Sequence, residues 1–194
     1  MPNDTSLGMP VQDFLSWNPG DGRAWQLVDG EPQAMAPANR THGTFLGELG
    51  AMIGNHLLDR ASRCSVVMLP GIVPHVRATY NMRVPDLAVT CSDYDVEGTA
   101  LTDPVLIAEI LSPNNQAETW ANVWAYATIP SVREILVLRA VTVGADLLRR
   151  GPDGSWPREP DVTTNGDLVL ESIGLRTPLA DLYRSTRLRP SSQT

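Results

Sequence analysis

The order of apolar runs along this 194-residue chain predicts an α/β (α+β) domain with a mixed, curved β-sheet flanked by helices. Three observations carry the prediction. Two β-branched runs, Val84-Pro85-Asp86-Leu87-Ala88-Val89 and Val105-Leu106-Ile107-Ala108-Glu109-Ile110-Leu111-Ser112-Pro113, read as buried strands. A long helical pattern precedes them and a second helix follows. Composition is that of an ordinary globular protein, 42% hydrophobic and 19% charged. A chain of this length buries roughly 70% of its unfolded surface as one domain. Residues 10–187 are assigned to that domain, 1–9 to a disordered N-terminus and 188–194 to a tail.

Taken in order, residues 11–17 form a short helix ended by Asn18-Pro19-Gly20-Asp21-Gly22. Residues 25–28 and 31–36 flank Asp29-Gly30, the turn pair of a two-residue hairpin loop, and Pro32 favours an edge position. From 41 to about 61, Phe45, Leu46, Leu49, Met52, Ile53 and Leu57 recur at helical spacing, with Thr41 as the expected N-cap. Gly47, Gly50 and Gly54 cost this helix roughly 1 kcal/mol each. Their spacing makes a face on which a second helix, or a second subunit, is expected to dock. Residues 65–69 and 71–76 read as strands, 78–81 as a turn, and 92–103 as a polar loop between the two central runs. A helix over about 115–127 is followed by strands at 133–139 and 143–148. A turn at 151–154, an irregular stretch at 156–161, a strand at 167–170 and a helical turn at 178–183 close the chain.

Several function classes are excluded or disfavoured. No apolar run approaches the ~20 residues of a membrane span. Residues 1–5 have neither the basic region nor the apolar core of a secretory signal. Cys64 and Cys91 have no partner motif, so they read as two buried thiols in a reducing cytoplasm, and a zinc site is disfavoured. Net charge is −7, against a strongly basic nucleic-acid surface. All fifteen basic residues are arginine, so any mechanism that needs a lysine is excluded.

The two central runs each carry one carboxylate where an apolar residue would cost less. A lone carboxylate in a buried strand is unfavourable unless paired or bound to a cation. Asp86 and Glu109 lie 23 positions apart on strands that can neighbour each other, which points to a shared divalent-metal site. Competing structural roles exist. Asp86 can cap a strand end or accept backbone N–H groups, and Glu109 can pair with Arg83 or Arg133.

Five segments, Gln26-Leu27-Val28-Asp29-Gly30-Glu31, Arg40-Thr41-His42-Gly43, Val84-Pro85-Asp86-Leu87, Glu109-Ile110-Leu111-Ser112-Pro113 and Pro130-Ser131-Val132-Arg133-Glu134, occur in this order. Together they resemble the Uma-two family of bacterial restriction endonucleases, a branch of the PD-(D/E)XK nuclease superfamily. The likeness runs from about residue 11 to 185, and its most diagnostic piece is Glu109-Ile110-Leu111-Ser112-Pro113 ahead of a helix. It implies a restriction-endonuclease-like core and a DNA phosphodiester hydrolase using Mg²⁺ (or Mn²⁺). Asp86 and Glu109 are then its metal-binding and catalytic acids. The superfamily's lysine position, two residues after the acid, is Leu111. Many relatives place an acid, a lysine and a tyrosine on the following helix, and Glu118, Asn122 and Tyr126 match that pattern. Asn122 stands where lysine is expected.

An amide at Asn122 orients a water but cannot take its proton, so the implied nuclease is slow or inactive. Glu118 also fits a capping box with Asn115, and Asn122 and Tyr126 fit a site edge or a solvated stripe. Glu48 and Glu31 are further candidate metal ligands against a surface role, and His42 a phosphate contact against a cap. Trp120 and Trp124 read as core or dimer packing rather than base-stacking platforms. Three readings result: a Mg²⁺-dependent DNA phosphodiesterase, a degenerate homodimeric binding or scaffold module, and a different metal-dependent hydrolase on the same sheet.

Overall fold

The computed structural model describes residues 8–93 and 98–189. The elements in chain order are α1 (Val11–Ser16), β1 (Trp25–Val28), β2 (Glu31–Ala34), α2 (Arg40–Asp59), β3 (Ser65–Met68), β4 (Leu87–Thr90), β5 (Pro104–Leu111), α3 (Gln116–Tyr126), β6 (Glu134–Arg139), β7 (Ala145–Arg149), β8 (Asp161–Thr163), β9 (Asp167–Leu170) and β10 (Leu175–Pro178). Strands β3 to β8 form a six-stranded sheet in sequence order. Every pairing in it is antiparallel except β5 with β6, which α3 joins as a crossover. The mixed sheet flanked by helices matches the expectation.

Alternation along the strands sorts side chains onto two faces. Leu87, Val89, Leu106, Ala108 and Ile110 join Phe45, Leu49, Ile53 and Leu57 of α2 in one core. Ala88, Ile107, Ile135 and Val137 join Val123 and Tyr126 of α3 in the other. Phe45, Leu49, Ile53 and Leu57 repeat every four residues and are almost wholly buried, a stripe worth roughly 1.5–3 kcal/mol per side chain.

Helix α2 starts one residue before the expected Thr41. Its N-cap is Asn39, whose side chain accepts from the His42 backbone N–H at 2.9 Å. Within the chain, two of the three glycines on this face are met by a strand and not by a helix. A Cβ on Gly50 would meet the Met68 side chain at 3.2 Å, and one on Gly54 would meet Val66 at 3.5 Å, so β3 of the same chain packs there.

The hairpin forms as read. Asp29 (φ 51°) and Gly30 (φ 88°) both adopt the left-handed conformation that a two-residue turn requires. Residues 71–76 do not form a strand and make only the bridge Ile72↔Arg83, because Pro74 has no N–H to donate. The disordered N-terminus falls mainly on residues 1–7, outside the described ones, but Met9 N–H donates to Gly30 O at 2.8 Å. Most of the tail is likewise outside, although Leu188 packs on the first core.

The expectation of two free thiols is corrected. Cys64 and Cys91 form a disulfide. The register explains it: Ser65 pairs with Thr90, so the cysteines face each other one step further along the β3–β4 ladder. Thiol titration of denatured, unreduced protein is expected to find no free thiol. Reduction is expected to lower stability by about 3–4 kcal/mol, the value for a loop of this length. Two free thiols before reduction would contradict the bond.

Tyr183 locks the first core beneath α2. Its ring meets Phe45 edge-on at 5.0 Å, and its hydroxyl serves Arg139 O and Gly144 O, both at 2.8 Å, while accepting from Gly144 N–H. Burial pushes this phenol up to about 12. A group whose folded value is raised stabilises fully below its unfolded value near 10, and the contribution fades as pH climbs through 12. Thermal melts should therefore show a fall between pH 10 and 12 that is absent in Tyr183→Phe. That variant should be about 1–2 kcal/mol less stable than the parent at pH 8.

Candidate active site

The site begins with register. Leu87 pairs with Ala108 across β4 and β5, so the next position outward sets Asp86 against Glu109. Alternation then turns Glu109 toward α3, with Ile107 on the same face, while Ala108 and Ile110 point into the α2 core. Both carboxylates are buried, at 6% and 7% exposure.

Asp86 is held from two sides. Its Oδ2 accepts the Ile110 backbone N–H at 2.7 Å, and its Oδ1 lies 2.6 Å from His42 Nε2. The Asn39 cap fixes where α2 starts, and that start carries His42 to Asp86. Hydrogen bonding to Asp86 raises the His42 pKa, against the opposing effect of burial. Glu109 accepts from Tyr126 Oη at 3.0 Å. Burial, followed by the Asp86 charge, pushes Glu109 well above the usual carboxylate range. Burial, then Glu109, does the same to the Tyr126 phenol.

The alternative role for Glu109, pairing with Arg83 or Arg133, is not what the structure shows. Arg133 is exposed, and Arg83 donates instead to Asn122 Oδ1 at 3.0 Å and Asn81 Oδ1 at 3.1 Å. Four carboxylates are buried among the described residues. Glu134 is paired with Arg149, Asp146 with Arg139, and Asp86 with His42. Glu109 has no basic partner.

Helix α3 presents Glu118, Asn122 and Tyr126 one turn apart toward this face. Glu118 does not form the expected capping box. Asn115 makes no side-chain cap, its Oδ1 being taken by Ser112 N–H and Oγ–H, and Glu118 accepts from Gln26 Nε2 at 2.8 Å. Asn122 is buried, which removes the solvated-stripe alternative. Glu48 lies outside this group, bound to Arg184 and Ser185, and Glu31 is exposed on β2 with no ion pair among the described residues. Trp120 packs on the second core, while Trp124 is 46% exposed. Sequence reasoning missed Gln26 and Asn81. Gln26 sits as a polar residue in an otherwise apolar strand, a weak signal, and Asn81 gives none at all.

Among the described residues no three of His, Cys, Asp and Glu converge as a ready metal cage. The donor set is the pair Asp86 and Glu109. Two carboxylates suit Mg²⁺, which keeps several waters and takes remaining ligands from substrate phosphate. A buried, like-charged pair with one member lacking a cation is the environment such an ion relieves, so the residues fit.

The buried acid pair thus lies on a mixed sheet flanked by helices. The model of the family described as "Uma2: Putative restriction endonuclease" matches residues 11–180, and the chain belongs to that family. No curated protein matches the chain. The fold is similar to that in the crystal structure of "a putative nuclease belonging to DUF820 from Anabaena variabilis ATCC 29413". The TM-score is 0.73 at 16% identity, over 90% of this chain and 97% of the other.

Glu109→Gln tests the electrostatic cost. The amide keeps an acceptor for Tyr126 and removes the like charge, so metal-free protein at neutral pH should gain about 1–2 kcal/mol. For a chain this size that is a rise in Tm of a few degrees in calorimetry. A lower Tm would mean that the carboxylate is not strained.

Proposed function

We propose that the chain is a Mg²⁺-dependent phosphodiester hydrolase acting on DNA. The observation that carries this is Glu109: a buried carboxylate without a basic partner, set across two strands from a second carboxylate. When bound, the ion lowers the pKa of a coordinated water and neutralises charge on the phosphate. The chain's own groups do the rest. Ile110 N–H and His42 hold both Asp86 oxygens, so the carboxylate keeps one orientation. Tyr126 does the same for Glu109. Asn122, beside Tyr126 on α3, is the group available to donate to a phosphate oxygen or a water.

A second reading is favoured by one specific feature. The chain has no lysine, and an amide cannot accept the water's proton. In that reading the fold serves as a homodimeric binding or scaffold module without turnover.

Calorimetric titration with Mn²⁺ should give saturable binding that Asp86→Ala and Glu109→Ala each abolish. Supercoiled plasmid should be nicked in Mg²⁺ by the parent protein and not by Glu109→Gln. Unchanged metal binding in either alanine variant sinks the metal site. Binding without nicking by highly purified parent protein leaves the scaffold reading.

A further inference from the structure

Arg83 is 7% exposed, yet forms no ion pair with any carboxylate among the described residues. Burial works against its charge, lowering its pKa, and a buried guanidinium held only by neutral groups is expensive to keep. Its placement is nevertheless enforced. The backbone is clamped by reciprocal hydrogen bonds with Ile72, N–H to O at 2.8 Å in each direction. One arm rests on Asn81, whose own orientation is settled. Asn81 Nδ2 donates to Asp29 Oδ1 at 3.0 Å and Val76 O at 3.1 Å, and its Oδ1 also accepts Asp29 N–H at 2.9 Å. The other arm grips Asn122 Oδ1.

A guanidinium only donates. The Asn122 atom facing it is therefore the carbonyl oxygen, and the amide nitrogen must point the other way. That Nδ2 donates to no described residue and is not among the sealed polar atoms, whereas Arg83 Nε is sealed and unpartnered. Asn122 lies one turn before Tyr126, which holds Glu109. The locked amide thus offers its N–H donors one helical turn from the tyrosine that holds Glu109.

We propose that Arg83 is a positioning residue of this site: it fixes Asn122 as a donor to a phosphate oxygen and supplies a permanent positive charge behind it. The inference rests on the proposed metal-dependent phosphodiesterase reading. Charge and donor, which one lysine ammonium would combine, are here divided between two side chains. Neither group takes a proton, so the dyad serves binding and charge neutralisation rather than base catalysis.

The test uses the full chain with three variants, Arg83→Met, Arg83→Lys and Arg83→Met/Asn122→Lys, and two readouts without turnover. Mn²⁺ affinity is measured alone by calorimetry, and a short DNA duplex is titrated in Ca²⁺. Removing a positive charge near the carboxylates should tighten Mn²⁺ about three- to tenfold in Arg83→Met, while Arg83→Lys stays near the parent value. Duplex affinity should fall about tenfold in Arg83→Met and return to within about threefold of the parent in the double variant. A scaffolding arginine would instead loosen Mn²⁺ on removal and would not be rescued by lysine at 122. Either result, or equal tightening by Arg83→Lys, overturns the inference. If Arg83→Met fails to fold, Asn122→Lys in the Arg83→Lys background must weaken Mn²⁺ relative to Arg83→Lys, since a second cation joins the site. An unchanged value there overturns it as well. Absence of Mn²⁺ binding by the parent defeats the metal reading itself, a distinguishable failure.

Discussion

Asp86 and Glu109 meet because β4 and β5 are antiparallel in one particular register, and most of the surrounding structure follows from that pairing. A slip of one residue would turn Glu109 into the apolar core shared with α2, which holds Leu49, Ile53 and Leu138. In the observed register Glu109 faces α3, and α3 answers with a polar stripe instead of a wholly apolar one. The flanking residues anchor the register: Ile107 and Val137 on one face, Ala108 and Leu106 on the other, are fully buried. The apolar contacts on both sides of the sheet therefore hold an arrangement that the carboxylates alone would oppose.

The treatment of Glu134 and Asp146 shows that this fold can bury acids safely. Glu134 receives Arg149 together with the Glu171 and Ser172 backbone N–H groups and the Ser172 hydroxyl. Asp146 receives the Arg139 fork. Such charges are satisfied and tie loops to the sheet. Glu109 receives one phenol and lies beside a second acid. A structural role would be served better by glutamine or leucine at that position, since an uncompensated buried charge costs several kcal/mol. The strain is local, and in the proposed function it is a cost that a bound divalent cation would relieve.

Legibility from sequence followed the range of the interactions involved. The strands carrying Asp86 and Glu109, the hairpin at Asp29-Gly30 and both long helices were legible because periodicity and turn chemistry are local. Length and order of strands also sufficed for the mixed sheet. The Cys64–Cys91 bond was hidden, because spacing along the chain says nothing of cross-strand register. The apparent strand at 71–76 misled through its β-branched residues, while Pro70 and Pro74 denied it a ladder. The glycine spacing on α2 marks a place of close approach, but composition does not say that β3 packs at Gly50 and Gly54. Within the site, Asp86 and Glu109 stood out as charges in apolar runs, and Asn122 through its family position. Arg83 carries a sequence signal only as a rival partner for Glu109. Its true contacts, Asn81 and Asn122, are neutral side chains that no charge pattern marks.

These contacts bear on how the site is held together. Asp29 at the hairpin turn binds Asn81, Asn81 binds Arg83, Arg83 binds Asn122, and Asn122 shares its helix with the Tyr126 that holds Glu109. A parallel link runs from Gln26 on β1 to Glu118 on α3. The small β1–β2 sheet is thus bonded to the helix that covers the acid pair, although its strands take no part in the large sheet. Four segments distant in sequence each contribute one link, and every link is partly or wholly screened from water. Low local dielectric strengthens such a chain when complete and penalises it when broken. Removing the hairpin would leave Asn81 and Glu118 each short of a partner inside the protein. The geometry at Glu109 therefore depends on the integrity of the entire domain and not only on the two strands that carry the acids.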